Sequence, residues 1–241
     1  MSWIRFHPLT RIIIVAATVV GLALLAGVER VGDALASMTP GGSFDERCAR
    51  LPAAGVNVSL LPFNVVENTT TPFATLTRMS DEPTASHRTI GLTHASFAHR
   101  SSIEVKGVED RASHRACVRP HVNVELSLRP MTVYVAREYA NDECRARTIR
   151  EHEQRHVDVY SAYAREAVAR LTAQLETIVG TKPHYAYTVG DAQHALDQRI
   201  GQQLDAFMRE SRSVIAERQA RVDTPEEYAR VSMACTLAAV K

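Results

Sequence analysis

Alternating hydrophobic and polar residues run through the chain between about residues 54 and 137, and this two-residue period predicts β-strands. Residues 56–60 form one such run. Two later runs have their hydrophobic residues at Val122, Val124, Leu126 and Leu128 and at Met131, Val133 and Val135. We expect the two later runs to pair as an antiparallel hairpin that turns at Arg129-Pro130. The stretch 67–87 is rich in Thr, Ser and Pro and predicts a loop.

A period of three to four residues replaces the alternation in the second half of the chain and predicts helices. The first helix is expected to run from a cap at Asn141 or Asp142 to Val179, since a glycine and a proline follow. A second helix is expected to start near Gly190-Asp191 and to continue through Ile215. This half of the chain is therefore predicted to consist of long helices.

A third, short helix is predicted to open with Thr224-Pro225-Glu226-Glu227. This tetrad combines a capping threonine, a proline at the first helical position and a glutamate three residues after the cap. We therefore expect one α+β domain over residues 47–241, in which an antiparallel β half precedes a helical half. Residues 37–46, which include Pro40, Gly41 and Gly42, predict a linker before it.

The first 36 residues are predicted to be a targeting segment. Arg5 and Arg11 precede an almost uninterrupted apolar run over residues 12–28. A basic start followed by such a run favours insertion with the N-terminus inside and export of the remainder. Ala34-Leu35-Ala36 offers a cleavage site for a signal peptide, and an uncleaved run of this length would serve as an inner-membrane anchor. Both readings predict a periplasmic or secreted protein.

The composition is that of an ordinary globular protein. The 241 residues are 45% hydrophobic and 23% charged, with a formal net charge of +1. A near-neutral chain without a basic stripe and interleaved aromatic residues does not favour nucleic-acid binding. We therefore expect no nucleic-acid partner.

Four cysteines occur in the chain, at Cys48, Cys117, Cys144 and Cys235, and none forms a C-x-x-C pair. An even number of cysteines in an exported protein predicts two disulfides, for which three connectivities exist. The sequence does not choose among them. As a working hypothesis, each half of the chain has its own disulfide, which pairs Cys144 with Cys235 and Cys48 with Cys117.

The run His152-Glu153-Gln154-Arg155-His156 has the pattern H-E-x-x-H. Histidines four residues apart lie on the same face of a helix, so His152 and His156 can share one metal ion. Glu153 then lies beside the metal, where its carboxylate can take a proton from metal-bound water. Hydrophobic residues continue at helical spacing beside the histidines, so we expect their face to be partly buried. The alternative is a solvated, charge-rich helix face; the motif in this setting favours a zinc site.

Catalytic zinc usually has three protein ligands, so a third is expected. If the second helix returns antiparallel to the first, residues 214–218 come level with the two histidines. Glu217 is the only acidic residue within 211–222 and is the predicted third ligand. Its alternative is a surface glutamate that pairs with Arg218 or Arg221. Further candidates for the third ligand are Asp223, Glu226, His114 and His121.

Two further features have both a functional and a structural interpretation. Residues 131–137 directly precede the motif helix, and this strand could pair with an extended peptide substrate by strand addition or could be a plain core strand. Tyr160 and Tyr163 could stabilise an oxyanion, although aromatic residues at helical spacing are more often part of the core.

Several segments follow one another in a recognisable order over about half of the chain. They are Cys117 in a strand, 131–138, Cys144, 150–156 and 222–228. In this order the chain resembles a family of exported bacterial proteins described as predicted secreted zinc-dependent proteases. The resemblance implies that His152 and His156 bind zinc and that Glu153 is catalytic.

The resemblance continues after the second helix, where related members have an acidic residue followed by threonine. Asp223 and Thr224 match this pair, and Tyr228 stands where some members have a histidine. We therefore expect an exported zinc-dependent metallopeptidase that acts on peptides or proteins. The rival hypothesis is a non-enzymatic envelope protein with a structural metal ion or none, whose helices dock a partner. A zinc amidase that acts on cell-wall peptides is a third hypothesis.

Overall fold

The computed structural model describes residues 42–80 and 88–235. The chain divides into two units, and the described residues all belong to the second, Gly41–Lys241. The predicted targeting segment 1–36 lies outside the described residues. Among the helices within the described ranges, none combines the length and the apolar character that a membrane span requires.

The described chain contains five helices of α type, a short 3-10 helix and five strands. In chain order they are α1 (Phe44–Ala49), β1 (Gly55–Leu60), β2 (Val65–Asn68), α2 (Phe73–Met79), β3 (Gly91–Asp110), β4 (Arg115–Val135), the 3-10 helix (Arg137–Tyr139), α3 (Glu143–Val179), β5 (His184–Ala186), α4 (Val189–Ala220) and α5 (Pro225–Met233). The predicted α+β class is confirmed, because one sheet fills the first half and long helices fill the second.

The helices of the second half begin at the residues that cap them. The side chains of Asp142, Thr188 and Thr224 each accept a hydrogen bond from a backbone N–H in the first turn of α3, α4 and α5. The predicted extent of the first helix and the predicted cap of the third are therefore confirmed. Gly180 ends α3 with a positive φ of 61°, a conformation that glycine adopts without steric cost.

The central strand of the sheet is β4. Along one edge it pairs with β3 in antiparallel direction over nearly its full length. Along the other edge lie β5, β1 and β2 in succession; β1 and β2 run parallel to β4 and β5 runs antiparallel. The sheet is therefore mixed rather than wholly antiparallel as predicted.

The predicted hairpin at Arg129-Pro130 is wrong, because both hydrophobic runs belong to β4. The pairing with β3 passes from Leu128 opposite Phe97 to Met131 opposite Ala95, so two residues of β4 face one of β3. Such a β-bulge is a place where proline is tolerated within a strand. The extra residue shifts the alternation by one position, and this is why buried side chains change from even to odd numbers there.

Two short helices occupy segments that the sequence predicted to be linker and loop. The end of the predicted linker 37–46 lies in α1, where Ser43 and Glu46 form a reciprocal capping box. Most of the remaining linker lies outside the described residues. Within the predicted loop 67–87, α2 forms and its Leu76 is fully buried. Burial of this one apolar side chain is a tertiary contact that a Thr- and Pro-rich pattern does not reveal.

The main core lies between the sheet and the two long helices α3 and α4. Tyr163 of α3 is fully buried there, and its hydroxyl donates a hydrogen bond of 2.7 Å to Ser211 of α4. The ring of Phe97 from β3 meets the Tyr163 ring edge-on at a centroid distance of 5.6 Å. Tyr160 packs against the same core. The structural interpretation of these tyrosines is therefore confirmed.

Two disulfides are present. The Cys48–Cys117 disulfide joins α1 to β4, and the Cys144–Cys235 disulfide joins the start of α3 to the residues that follow α5. The hypothesis of one disulfide in each half of the chain is confirmed. Two disulfides fit an oxidising location such as the periplasm or the extracellular space.

Candidate metal site

The first turns of α3 bring the two motif histidines together. The side chains of His152 and His156 are buried, and their Nε2 atoms lie 3.2 Å apart. Asp223, in the turn between α4 and α5, places its Oδ1 atom 3.2 Å from each of these nitrogens. In the described parts of the chain, these three residues are the one group of His, Cys, Asp or Glu whose ligand atoms converge in this way.

The three distances match the geometry of a metal site. Donor atoms about 2.0 Å from a tetrahedral zinc ion lie roughly 3.3 Å from one another. The two imidazole nitrogens and the carboxylate oxygen form an almost equilateral triangle with sides of 3.2 Å. Two imidazoles and one carboxylate are also a donor set that zinc accepts. The residues therefore fit zinc in both distance and chemistry.

Glu217, the predicted third ligand, is not near the histidines. Its carboxylate pairs with Arg221 one turn later in α4, and its side chain is 65% exposed. This is the alternative arrangement that the sequence left open for it. The position that Glu217 was expected to occupy belongs to Asp223, so the prediction for the third donor is corrected. Glu226, His114 and His121 are not part of the group.

The register between the two long helices differs from the expected one. The amide of Gln219, rather than residues 214–218, lies against His156. The offset from residue 214 to residue 219 is five helical residues, or about 7 Å. Glu217 lies two residues before Gln219 on the exposed side of α4, so it does not face the histidines. The turn after α4 supplies the acidic residue instead.

The second ring nitrogen of each histidine also has a partner. Nδ1 of His152 lies 3.2 Å from Oε1 of Glu227, and Nδ1 of His156 lies 2.6 Å from Oε1 of Gln219. Glu227 and Gln219 each offer an oxygen that can accept a hydrogen bond from Nδ1–H, and in that tautomer the Nε2 lone pair of each ring would be free to bind a metal at the centre of the site.

Sequence analysis assigned no functional role to Glu227 or Gln219. Glu227 was noted only as the glutamate of a helix cap, and Thr224 does accept its backbone N–H. Its carboxylate instead contacts Arg155, Arg230 and His152. Hydrogen bonds from Arg230 in particular lower the pKa of the Glu227 carboxyl to about 2, so it is ionised at neutral pH. The sequence around Glu227 is that of an ordinary helix start and does not indicate that its carboxylate contacts His152.

Charge in the site is concentrated on Asp223. Burial opposes ionisation of its carboxyl, but the hydrogen bonds from His152 and His156 together with their charges outweigh burial and hold its pKa well below the usual range. Burial likewise lowers the pKa of each histidine, but the hydrogen bond to Asp223, the hydrogen bond to Glu227 or Gln219 and the nearby charge of Glu153 together outweigh it, so both pKa values are raised. The three groups therefore favour a positive charge among them, which a metal cation supplies.

Glu153 points from the same helix toward the sheet. Its side chain is only 3% exposed, and the Thr93 hydroxyl of β3 donates a hydrogen bond of 2.8 Å to its Oε2. Burial raises the pKa of its carboxyl above the ordinary value, although the nearby charge of His156 and the Thr93 hydroxyl lower it in part. Glu153 is thus a buried carboxyl that lies near the three donors and is not one of them.

The strand proposed to bind substrate has no free edge. Within β4, Met131–Val135 pairs with β2 on one side and with β3 on the other. An added peptide strand therefore cannot pair there, and this part of β4 is the core strand of the alternative interpretation. Within the described chain, β3 pairs with β4 alone, and its Thr93 side chain contacts Glu153.

The segments 150–156 and 222–228 meet at this site. The ring of Tyr228, in α5, lies with its centroid 6.1 Å from that of His152, and its side chain is partly exposed. Comparison of the chain with protein-family models, with curated proteins and with solved structures finds no match in any of the three.

Proposed function

We propose that this protein is an exported zinc-dependent metallopeptidase whose zinc ligands are His152, His156 and Asp223. The observation that carries the proposal is the triangle of donor atoms with sides of 3.2 Å, next to the buried carboxyl of Glu153. Three protein donors leave the fourth tetrahedral position to water or substrate, as in catalytic zinc sites.

The side chains of the site divide the chemical work. Zinc, when bound, lowers the pKa of a coordinated water and polarises the carbonyl group of a substrate. Glu153 accepts the proton of the attacking water and returns it to the leaving amine. Thr93 holds the Glu153 carboxyl through its hydroxyl, and Gln219 and Glu227 hold the rings of the two histidines.

The outer edge of β3 is the proposed binding site for the substrate backbone. An extended peptide that pairs with Gly91–Ala95 would add a strand to the sheet, with main-chain hydrogen bonds that do not depend on its sequence. The Thr93 side chain contacts Glu153, so this stretch of the edge lies at the proposed general base. The substrate class that fits such an edge is an unfolded peptide or a protein loop.

The number of donors also separates the proposal from its rival. Structural zinc sites usually have four protein ligands. The described residues offer three, and the Asp223 side chain remains 35% exposed, so the site is open to solvent at this donor. A non-enzymatic protein with a structural metal ion is therefore the less favoured function.

Metal content and hydrolysis test the proposal together. Purified full-length protein is expected to contain one zinc ion per chain and to cleave members of a random peptide library. His152→Ala and Asp223→Ala should lose both properties, whereas Glu153→Gln should keep zinc and lose cleavage. Glu217→Ala is the matched control and should behave as the wild type. Zinc binding that survives Asp223→Ala, or full cleavage by Glu153→Gln, would overturn the assignment.

A further inference from the structure

We infer that helix α5 is a clamp on the metal site, in which Glu227 fixes the His152 ring and the Cys144–Cys235 disulfide holds the helix in place. Metal affinity then depends on the oxidised disulfide. The inference deepens the proposed function and relies on it for the role of His152 as a ligand. It supplies a form of regulation: the site binds the metal more tightly in an oxidising compartment.

Helix α5 buries few of its apolar side chains. Glu227 is the one buried side chain of this nine-residue helix. Its larger hydrophobic side chains, Tyr228 and Met233, are 41% and 57% exposed. A helix this short is only marginally stable without tertiary contacts. Other interactions must therefore hold α5 against the rest of the protein.

Polar contacts of Glu227 hold the start of α5 against α3. Besides His152, the Glu227 carboxylate contacts Arg155 of α3 at 2.8 Å and Arg230 of its own helix at 2.7 Å. These contacts hold a charged acceptor on Nδ1 of His152. Such a partner orients the ring and strengthens the ligand, and loss of an outer partner typically weakens metal binding about 10- to 100-fold.

The Cys144–Cys235 disulfide holds the other end of α5. Cys144 lies in the first turn of α3, two helical turns before His152, and Cys235 lies just after the last residue of α5. The disulfide and the Glu227 contact thus join the same two helices, one at each end of α5. Without the disulfide, α5 would still be joined to α3 by the Glu227 contacts near the metal site.

Reduction of the disulfide has a defined stoichiometry. Two thiols of a reductant transfer two electrons and two protons to the bond between Cys144 and Cys235, which yields two cysteine thiols and a reductant disulfide. The end of α5 is then released, and Glu227 occupies its position on His152 for a smaller fraction of the time. A protein still in the reducing cytoplasm would bind zinc less tightly than the exported form.

Zinc affinity of the full-length protein, measured by competition with a chelator, tests the clamp. Cys144→Ser with Cys235→Ser is expected to weaken zinc binding about 10-fold or more, and Glu227→Ala should have an effect of similar size. The matched control, Cys48→Ser with Cys117→Ser, removes the other disulfide and should leave the affinity within about twofold. In each variant, circular dichroism checks folding and cobalt absorption reports the geometry of the site.

A combined variant tests whether the disulfide acts through Glu227. If it does, adding Glu227→Ala to the Cys144→Ser and Cys235→Ser changes should cost little more than either change alone. Effects that simply multiply would overturn the link, as would unchanged affinity without this disulfide. Glu227→Ala is a single change and still tests the clamp if the disulfide variant does not fold.

The outcomes separate the clamp from the proposed function. Wild-type protein that binds zinc but cleaves no peptide would refute the peptidase, while loss of affinity without the Cys144–Cys235 disulfide would still support the clamp. Wild-type protein that cleaves peptides and is insensitive to this disulfide would refute the clamp alone. Wild-type protein that binds no zinc would refute both.

Discussion

A β-carbon placed on Gly91 would lie 2.4 Å from Oε1 of Glu153, so the first residue of β3 packs directly against the carboxyl group of the motif. The same position would be 2.6 Å from a methyl carbon of Ile149. Thr93, two residues along the strand, donates a hydrogen bond to the other carboxyl oxygen. The start of β3 therefore limits the position of the proposed general base from two directions.

Gly91→Ala is expected to displace Glu153, because the added methyl group has no room between it and Ile149. Overpacking of this kind costs about 1–3 kcal/mol of unfolding free energy. Peptide cleavage should fall at least about 10-fold while zinc content stays unchanged, since misplaced catalytic groups cost rate steeply. Gly201→Ala, in α4, is the matched control because nothing lies within 4 Å of its added carbon. Equal activity of the Gly91→Ala variant and the wild type would refute this constraint.

Thr93→Val is expected to lower peptide cleavage without loss of zinc. Valine keeps the shape of threonine but removes the hydroxyl, which donates a hydrogen bond of 2.8 Å to Glu153. Without this hydrogen bond the carboxyl group loses its fixed orientation. Thr93→Ser retains the hydroxyl and should recover most of the activity. Steady-state kinetics and metal analysis of the two variants make the comparison; if serine is as impaired as valine, the hydroxyl has no positioning role.

Glu67→Gln is expected to lower stability near neutral pH but not in acid. Arg150 of α3 forms a bidentate ion pair with the carboxylate of Glu67 in β2. The hydrogen bonds from Arg150 lower the pKa of the Glu67 carboxyl. Because the folded pKa lies below the unfolded one, the pair stabilises the protein above the unfolded pKa and this contribution is lost as the pH falls through the folded pKa.

The size of this effect is modest because both side chains are about 40% exposed. We expect Glu67→Gln to cost about 0.5 kcal/mol at pH 7. Urea unfolding of the wild type and the variant at pH 7 and at successively lower pH measures the difference. A difference that stays constant into acid would show that the ion pair is not its source.

Tyr163→Phe is expected to affect stability and not catalysis. The hydroxyl of this fully buried tyrosine donates to Ser211, whose own hydroxyl donates to the backbone oxygen of Phe207. Removing it leaves one buried acceptor unpaired, at a cost of about 1 kcal/mol. Denaturant unfolding and a peptide-cleavage assay test the two halves of the prediction. Loss of activity at unchanged stability would contradict the purely structural role and support the interpretation that Tyr163 stabilises an oxyanion.

The local sequence pattern predicted which residues form strands but not how those strands pair. The alternation in 122–128 and 131–135 predicts strands, and both are strands. A proline between two alternating runs fits a turn as well as a bulge, and only the pairing with β3 distinguishes them. The proposal that residues 131–137 pair with a substrate failed for a similar reason. Whether a strand lies at the edge or in the centre of a sheet depends on partners that are distant in the chain.

By itself the sequence determined the helices α3, α4 and α5, the caps of α3 and α5, and the pairing of His152 with His156, because helical periodicity and capping act over four residues or fewer. The third donor was decided by tertiary structure alone. Asp223 reaches the histidines because the turn after α4 meets the motif, while Glu217 lies on the exposed side of α4. This arrangement depends on how a sheet and two long helices pack, and no local pattern near Asp223 or Glu217 encodes it.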